Sequence, residues 1–290
     1  QVVASAFQVD IERVKVSATR TDKVPNTSPT AASSGSDLNG MAALDACEKL
    51  MAGMTEFAAS HWSAAPEDVT FADNQVQIND LTMSWETFIQ SAYMNRIPLS
   101  SSGFYATPKI HYDPKTGTGH PFLYYSNCAA CSEVVVDTLT GEYRVMRTDI
   151  LFDAGRSLNP EIDIGQIEGG FVQGMGWLTT EELVYSNDGK LLTTGPANYK
   201  IPAVSDCPPD LRVGLLPNSP NREATVFHSK AVGEPPLMLG IAVWSALRDA
   251  VSSVTDYRFS PPLDTPATPE RVLAAITACH ASQEQHKESA

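Results

Sequence analysis

Apolar side chains recur at helical spacing in several parts of the chain. The longest stripe includes Leu38, Met54 and Phe57, and it predicts a helix that ends near His61. Shorter stripes of the same period predict helices at the N-terminus and from Pro269 onward, and we also expect helices over 83–93, 163–177 and 237–251.

Other apolar runs predict strands, and the polar segments between them predict turns. We expect a small hairpin over 69–78 and a loop over 99–120. The runs that predict further strands cover 14–18, 122–131, 133–137, 143–152, 181–185, 190–193 and 212–216. Because Thr140-Gly141-Glu142 reads as a hairpin turn, two of these strands should pair antiparallel. The pattern predicts an α+β fold of mixed sheets with packed helices.

The organisation along the chain predicts two parts and a tail. We place the first part at 1–120 and the second at 121–280, and we expect the polar residues 281–290 to be disordered. Gln1 is not an initiator Met, and the first residues already read like the middle of a helix. The chain is therefore expected to be a piece of a longer protein.

Composition narrows the class of protein. The chain has 290 residues, of which 42% are hydrophobic and 19% charged, which is ordinary for a globular protein. The net charge is −14 and the basic residues are scattered, which argues against a nucleic-acid-binding surface. No apolar run has the length of a membrane span, so no membrane partner is expected. Five cysteines, an odd number, favour free thiols in a reducing compartment, and we expect a cytoplasmic location.

Glu234 is the first candidate for chemistry. It lies between Gly233 and the pair Pro235-Pro236, and an apolar segment follows. Proline at the first helical turn predicts a buried helix that begins there. The helix N-terminus favours a charged carboxylate while burial opposes it, so Glu234 could serve as a general base in a dry, rigid turn. The alternative is that Glu234 merely caps the helix.

The loop over 24–37 is the second candidate. It is rich in Ser, Thr, Pro and small residues, and it leads into the long predicted helix. Hydroxyls and backbone N–H groups ahead of a helix can bind an anion. The alternative is a long capping loop without a ligand.

Two further motifs favour structural roles. Cys128 and Cys131 have CxxC spacing, but the sequence lacks a second ligand pair for zinc, and residues three apart on a strand face opposite sides. The glycines of 165–176 form neither a Walker loop nor a complete dinucleotide fingerprint. We interpret them as helix positions that another backbone approaches closely, with Gln166 near the helix start.

Four motifs together resemble one known family. They are Val24-Pro-Asn-Thr-Ser-Pro-Thr-Ala-Ala-Ser33, Gly155-Arg-Ser-Leu-Asn-Pro160 with the glycine-rich segment that follows it, Tyr199-Lys-Ile-Pro202, and Ser229-Lys-Ala-Val-Gly-Glu-Pro-Pro236. In this order they resemble the C-terminal part of the molybdenum-binding region of the molybdenum hydroxylases, the xanthine dehydrogenase and aldehyde oxidase family. The resemblance covers nearly the whole chain apart from the polar tail, and it favours the functional interpretation of Glu234 and of the loop.

The resemblance also implies roles for individual residues. Glu234 matches the base that takes a proton from a hydroxide on molybdenum, and Gln166 matches the glutamine beside the metal's oxo ligand. Ala32 would also lie beside the substrate. The metal is held by the pterin, so no protein ligand to it is expected, and Gly35 stands where some relatives carry Ser. The residues that match the loop around the pterin and its phosphate are Thr30, Ala31, Ala32, Ser33, Ser34 and Ser36.

The implied activity is hydroxylation of hypoxanthine and xanthine at a molybdenum cofactor (molybdopterin). Two 2Fe-2S clusters, FAD and NAD would belong to other chains or domains. The implied partners are the remaining molybdenum-binding chain and an iron–sulfur and FAD subunit, in a hetero-oligomer. Two alternatives stay open: an aldehyde oxidase-type hydroxylase, and a non-catalytic scaffold chain of such a complex.

Overall fold

The computed structural model describes residues 1–17, 20, 22 and 30–288, with side chains to residue 286. It divides into two compact units. The first is Gln1–Leu123 with Glu223–Phe227, and the second is Tyr124–Arg222 with His228–Ala290. The main division lies close to the predicted boundary at 120/121, whereas no sequence pattern predicted that 223–227 would join the first unit.

Helices and short strands alternate in the first unit. A small core joins them, formed by Met54, Phe57, Ala58, Val69, Val76, Ile78, Trp85, Phe88 and Ala92. Ser84 begins α3 because its hydroxyl accepts a hydrogen bond from the Thr87 amide. The elements are α1 (Val2–Phe7), α2 (Gly35–His61), β1 (Val69–Ala72), β2 (Gln75–Ile78), β3 (Leu81–Ser84), α3 (Trp85–Met94), β4 (His111–Asp113) and β5 (Thr118–His120).

Three strand predictions for the first unit need correction. The hairpin over 69–78 is real, but β3 extends it to a three-stranded antiparallel sheet. The described residues 14–17 form no strand. The segment 99–120, predicted as a loop, contains the β4–β5 hairpin. Its turn is stabilised by Asp113, whose carboxylate accepts hydrogen bonds from the Lys115 amide and the Thr116 hydroxyl.

The segment Glu223–Phe227 contributes to the first unit although it comes late in the chain. Val226 is buried, and its Cγ2 lies 2.7 Å from where a Cβ on Gly40 of α2 would be. Lys109 Nζ forms an ion pair with Glu223 Oε2 at 2.7 Å. The absence of a side chain at Gly40 thus allows this distant segment to pack on α2.

The second unit is built on a mixed sheet in the order β6-β7-β8. β6 and β7 pair antiparallel, as the hairpin signal predicted, and β7 and β8 pair parallel. The helices α4, α5 and α6 supply most of the remaining core, which includes Phe171, Leu247 and Val272. The elements are β6 (Cys128–Val136), β7 (Tyr143–Phe152), α4 (Pro160–Thr179), β8 (Asp210–Leu215), a 3-10 segment (Pro235–Gly240), α5 (Ile241–Ser253) and α6 (Pro269–Glu288).

Some predictions for the second unit were also wrong. The predicted runs 122–131 and 133–137 correspond to one continuous strand, β6 (Cys128–Val136), with an irregularity between Glu133 and Val134, and residues 122–127 form no strand. The strands predicted at 181–185 and 190–193 reduce to a single bridge between Tyr185 and Leu191.

The predicted disordered tail is helical as far as it is described. α6 continues to Glu288, so the prediction of disorder from residue 281 was wrong for 281–288. The reason is intrinsic propensity, because this segment contains Ala, Gln, Glu and Lys and neither Gly nor Pro. Upstream in the same helix, Val272, Ile276 and Cys279 are buried and anchor it.

Among the residues that the structure describes, no helix combines the length and the apolar character needed to cross a membrane.

Candidate active site

The site around Glu234 depends on a close approach between α4 and the 3-10 segment Pro235–Gly240. A Cβ on Gly174 would lie 1.9 Å from the carbonyl oxygen of Leu237, and a Cβ on Gly170 would lie 2.7 Å from the Cβ of Pro236. A Cβ on Gly240 would in turn meet the backbone of Gly174 at 2.3 Å. These positions therefore require glycine, which confirms the interpretation that another backbone approaches the glycine-rich helix.

Glu234 occupies the N-cap position of this 3-10 segment, directly before Pro235. The segment leads into the partly buried helix α5, so the predicted helix start is confirmed. Among the described residues, the Glu234 side chain makes no capping hydrogen bond, which weakens the alternative that it merely caps the helix. The side chain is exposed, so the expectation of a dry turn formed by this chain's own residues was wrong.

Gln166 lies on the face of α4 that approaches the Pro-Pro segment. It precedes Gly170 by four residues and Gly174 by eight, and such residues share one face of a helix. α4 begins just upstream, where Asn159 accepts a hydrogen bond from the Ile162 amide at 3.3 Å. Gln166 is exposed and, like Glu234, is carried by a packed element of the second unit.

A nearly buried ion pair holds the segment that leads to Glu234. Lys230 Nζ donates to Asp153 Oδ2 at 2.5 Å, and the side chains are only 12% and 6% exposed. Lys230 Nζ also donates to the carbonyl of Tyr125 at 3.1 Å. Burial would raise the pKa of Asp153, but hydrogen bonds from Lys230 and from the Gly155 amide outweigh it and keep the pKa below its ordinary value.

Hydrogen bonds fix the backbone on both sides of Lys230. The Ala231 amide donates to the Tyr124 hydroxyl at 2.9 Å, and the Ser126 hydroxyl donates to the Ala231 carbonyl at 2.9 Å. On the other side, the Asn221 side-chain amide donates to the Ser229 carbonyl at 3.1 Å. The chain therefore reaches Glu234 from a rigid start, as a positioned proton acceptor requires.

The sequence interpretation missed these positioning residues. Lys230 lies within one of the quoted motifs and Asp153 lies two residues before another, but neither received a role, and they are 77 residues apart in the chain. Two signals were present in the sequence: a Lys within an otherwise small and apolar segment, and an Asp directly after a buried strand.

The predicted cofactor loop belongs to the first unit and leads into α2. Ala32 and Ser33 have φ angles of 55° and 54°, in the left-handed region, and Ser34 follows with a right-handed backbone. Consecutive residues of opposite hand turn their N–H groups towards a common concavity, which is typical of anion sites. The Ser34 hydroxyl donates to the Ala31 carbonyl at 2.7 Å and, among the described residues, does not cap the helix.

This loop fits the phosphate-bearing cofactor that the sequence implies. α2 has 27 residues, and its N-terminus carries the positive end of a helix dipole together with N–H groups. Thr30, Ala31 and Ala32 are exposed ahead of it, and Ser36 is exposed in the first turn. The first part of the quoted motif, residues 24–29, lies outside the described residues.

The remaining sequence candidates stay apart from this chemistry. Cys128 and Cys131 both lie on β6 as free, exposed thiols, so neither packs in the core. Partial shielding from solvent nevertheless raises the pKa of the Cys128 thiol. In the described part of the chain, no three His, Cys, Asp or Glu side chains are grouped so that they could hold a metal ion.

Comparison with known sequences finds xanthine dehydrogenases among the relatives of this chain. The chain is 46% identical to xanthine dehydrogenase/oxidase of Gallus gallus over 278 residues, which are 95% of this chain and 19% of that protein. It is 44% identical to xanthine dehydrogenase 1 of Arabidopsis thaliana over 288 residues, 95% of this chain and 20% of that protein. The chain thus spans about a fifth of the length of these curated relatives.

Solved structures share the fold. Quinoline 2-oxidoreductase from Pseudomonas putida 86 matches with a TM-score of 0.78 and 24% identity, over 95% of this chain and 34% of that one. Aldehyde oxidoreductase from Desulfovibrio gigas matches with a TM-score of 0.72 and 25% identity, over 95% of this chain and 27% of that one. These likenesses confirm the predicted α+β fold of a molybdenum hydroxylase.

The family is shown by a match to a defined domain. The model of the molybdopterin cofactor-binding domain matches residues 1–208, well over half of the chain. The match includes the whole candidate loop and Gln166. The chain therefore belongs to the family of molybdopterin cofactor-binding domains.

Proposed function

We propose that this chain is the C-terminal part of the catalytic, molybdenum-binding region of a xanthine dehydrogenase. The observation that carries the proposal is the joint positioning of Glu234 and Gln166. Both side chains are exposed, and the elements that carry them, α4 and the 3-10 segment, pack closely against each other at glycine positions. The identity of over 40% to xanthine dehydrogenases across nearly the whole chain supports the substrate class, which is hypoxanthine and xanthine.

The cofactor, when bound, supplies the two-electron oxidation that converts a C–H group of the purine into C–OH. The chain supplies the proton chemistry. A carboxylate oxygen of Glu234 accepts the proton that must leave during this hydroxylation. Its position before two prolines limits its motion, and the Lys230–Asp153 pair fixes the segment that precedes it.

Gln166 and the loop bind and orient the cofactor. The amide of Gln166 can donate a hydrogen bond to a cofactor oxygen and so define the side from which substrate approaches. Thr30, Ala31, Ala32, Ser33, Ser34 and Ser36 form the loop that receives the pterin and its phosphate at the start of α2. Ala32, with its small side chain, leaves room for substrate.

The rest of the electron path lies outside this chain. We propose that it uses two 2Fe-2S clusters, FAD and NAD on other chains or domains, and that the complete protein is a cytoplasmic hetero-oligomer. The aldehyde oxidoreductase among the structural matches keeps an aldehyde-oxidising variant as the second candidate. Its lower identity, 25% against 46%, makes it the weaker of the two.

The test replaces Glu234 by Gln in the complete enzyme. We expect kcat to fall by at least ~10²–10⁴-fold, the usual contribution of a general base, while molybdenum content is unchanged. Glu270→Gln is the matched control, because Glu270 is also exposed and also stands beside a proline at a helix start. Near-normal turnover of Glu234→Gln would refute the role of the carboxylate.

Substrate class is tested separately on the wild-type enzyme. Hypoxanthine, xanthine and an aromatic aldehyde are assayed side by side, and we expect the two purines to have the higher kcat/KM. Preference for the aldehyde would favour the second candidate. Absence of molybdenum from the purified enzyme, with no turnover of any of the three, would favour a scaffold chain.

A further inference from the structure

The outer strand of the mixed sheet, β6, offers an open edge. β6 stands at the end of the order β6-β7-β8, so one side of its backbone pairs with β7 and the other does not pair within this sheet. The structure describes all nine of its residues, and none of them is buried. An edge of this length presents a row of N–H and C=O groups ready to pair with another strand.

A groove of about 860 Å³ follows this edge within the second unit. β6 lines it with side chains of both faces, from Cys128 to Val134, which places the groove along the strand edge rather than over one face. The opposite wall is formed by Met238 and Leu239 at one end and by α5 along the rest, where the side chains are mostly small: Ile241, Ala242, Ser245, Ala246, Asp249 and Ala250. The small side chains leave the width that an additional extended backbone needs.

The strand carries only part of the usual protection of a free edge, namely one charged side chain, Glu133, and an irregularity beside it. Natural edge strands carry Lys, Pro or strong bulges that prevent pairing. β6 contains neither Lys nor Pro, and three consecutive valines end it. Its irregularity between Glu133 and Val134 lies in the second half and leaves the first half regular. Such an edge is expected to be covered in the complete protein.

The charge of the groove limits what can cover it. The described lining residues include the carboxylates of Glu133 and Asp249 and neither Lys nor Arg. The cross-strand neighbour of Glu133 is Arg147, which is already engaged with Asp149 at 2.6 Å. In an antiparallel pair of two β6 edges, carboxylates of the two copies would lie near one another. A second copy is therefore disfavoured, and a basic occupant is favoured.

We propose that the β6 edge receives an extended segment of the polypeptide that accompanies this domain in the complete protein. The segment adds as a strand beside β6, with small or apolar side chains towards α5 and a Lys or Arg within reach of Glu133 or Asp249. The relatives contain much additional polypeptide that could supply this segment, because the region that matches this chain is only about a fifth of their length. This inference concerns assembly and does not depend on the role of Glu234.

Hydrogen exchange in the complete protein tests whether the edge is paired. Alternate amides of β6 point away from β7, and they should exchange at least ~10-fold more slowly than the amides of the fully exposed hairpin β4–β5. Cys131, exposed in this chain, should react slowly with a thiol reagent. Exchange as fast as in β4–β5, together with rapid labelling of Cys131, would overturn the proposal.

A zero-length carbodiimide cross-link then identifies the occupant. Carboxylates of Glu133 or Asp249 should join a lysine in polypeptide that lies outside this 290-residue chain. A cross-link to a second copy of this chain, or protection of β6 that disappears on dilution, would assign the edge to self-association and refute the proposal. Cross-links confined to lysines of the same 290 residues would refute it as well.

Charge reversal provides the matched variants. Glu133→Lys should displace the basic residue and speed the labelling of Cys131 by about tenfold, because like charges in an interface cost more than ~1.4 kcal/mol. Asp249→Lys should act in the same direction from the α5 side. Glu284→Lys, an exposed position on α6, is the control and should leave the labelling rate unchanged. Equal rates in all three variants would contradict a basic occupant.

Discussion

Lys230 and Asp153 form an ion pair of 2.5 Å that ties the segment before Glu234 to the end of β7. Neither side chain has enough solvent around it to replace its partner, since their exposed fractions are 12% and 6%. Buried pairs of this kind contribute less through net attraction than through the cost of leaving one charge alone. The main effect of the pair is therefore to fix the position of the segment that precedes Glu234.

Lys230→Met should destabilise the complete protein by about 3–5 kcal/mol, because Asp153 would keep a buried charge without its cation. Urea unfolding followed by circular dichroism measures the loss. The double variant Lys230→Met, Asp153→Leu removes both charges and should recover most of the stability. An equal loss in the double variant would mean that packing, rather than charge, explains the effect.

The same pair predicts a response to acid. The pKa of Asp153 is lowered in the folded state, so its stabilising contribution is complete above the ordinary Asp value of about 4. It is lost as pH falls through the lowered folded-state pKa. In Asp153→Asn this part of the pH dependence should vanish. Unfolding free energies measured at neutral pH and in steps below pH 4, for wild type and variant, test this; parallel curves would contradict it.

Gly174→Ala should disturb the site, because the new Cβ would meet the carbonyl oxygen of Leu237 at 1.9 Å. We expect a loss of about 1–3 kcal/mol in stability, as for overpacked positions, and a lower kcat through displacement of the Glu234 segment. Gly169→Ala is the control on the same helix, since no described residue lies within 4 Å of its Cβ position apart from the helix's own backbone.

Alanine at position 169 should stabilise the helix by up to ~1 kcal/mol without affecting turnover. Thermal unfolding and steady-state kinetics of the two variants are compared directly. If Gly174→Ala behaved like Gly169→Ala, the contact between α4 and the Pro-Pro segment would not constrain the site.

Features that depend on residues close together in the sequence were predictable, whereas features that depend on distant residues were not. α2 was predictable because apolar positions recur at helical spacing, and α4 begins at a local cap, Asn159, so both helices depend on residues close in the sequence. The sequence could predict that the glycines of α4 lie against another backbone, because glycine destabilises a helix and is expected there only where a side chain would not fit. The sequence could not predict which segment they contact, because Gly174 and Leu237 are far apart in the chain and are brought together only by the tertiary fold.

The errors have different physical causes. The β4–β5 hairpin was missed because its turn is stabilised by one side chain, Asp113, in a segment without a clear apolar pattern. The tail over 281–288 was predicted to be disordered on polarity, although its residues favour helix. Polar pairs between residues far apart in the chain, such as Lys230–Asp153, can hardly be recognised from the local sequence pattern.

Tyr143→Phe should leave the protein as stable as wild type, or slightly more stable, at neutral pH. The hydroxyl of Tyr143 is buried and has no well-aligned hydrogen bond among the described residues, although the Thr179 side chain lies close enough to lower its pKa slightly against the effect of burial. Replacing an unsatisfied polar group by an apolar one of the same shape is close to neutral. Urea unfolding measures the difference, and a loss above ~1.5 kcal/mol would show that the hydroxyl has a partner.

Alkaline pH should separate the same two proteins. Burial raises the pKa of Tyr143 from 10.0 to about 12, so the unfolded chain releases this proton before the folded one does. Between those values wild type loses stability that Tyr143→Phe retains, up to ~3 kcal/mol. The two unfolding curves should therefore diverge as pH rises above the lower value; curves that stay parallel would contradict the burial of this phenol.

Ser36→Asp tests the cofactor loop. An acidic residue in the first turn favours the helix dipole of α2, so folding should be unaffected. The same charge should repel a cofactor phosphate, and we expect the molybdenum and pterin content of the purified enzyme to fall several-fold. Ser36→Ala is the control for loss of the hydroxyl alone. Full cofactor content in Ser36→Asp would contradict a phosphate at this helix start.

The five residues Glu223–Phe227 also bear on how this polypeptide can be divided or recombined. Because Val226 packs against Gly40, an expression fragment that stops at Leu123 would lose a buried side chain of its own unit. A single genetic crossover after Leu123 would likewise pair one parent's α2 with the other parent's Val226. Chimaeras between relatives should therefore be built with three breakpoints, so that the short late insert is inherited together with the helix it covers.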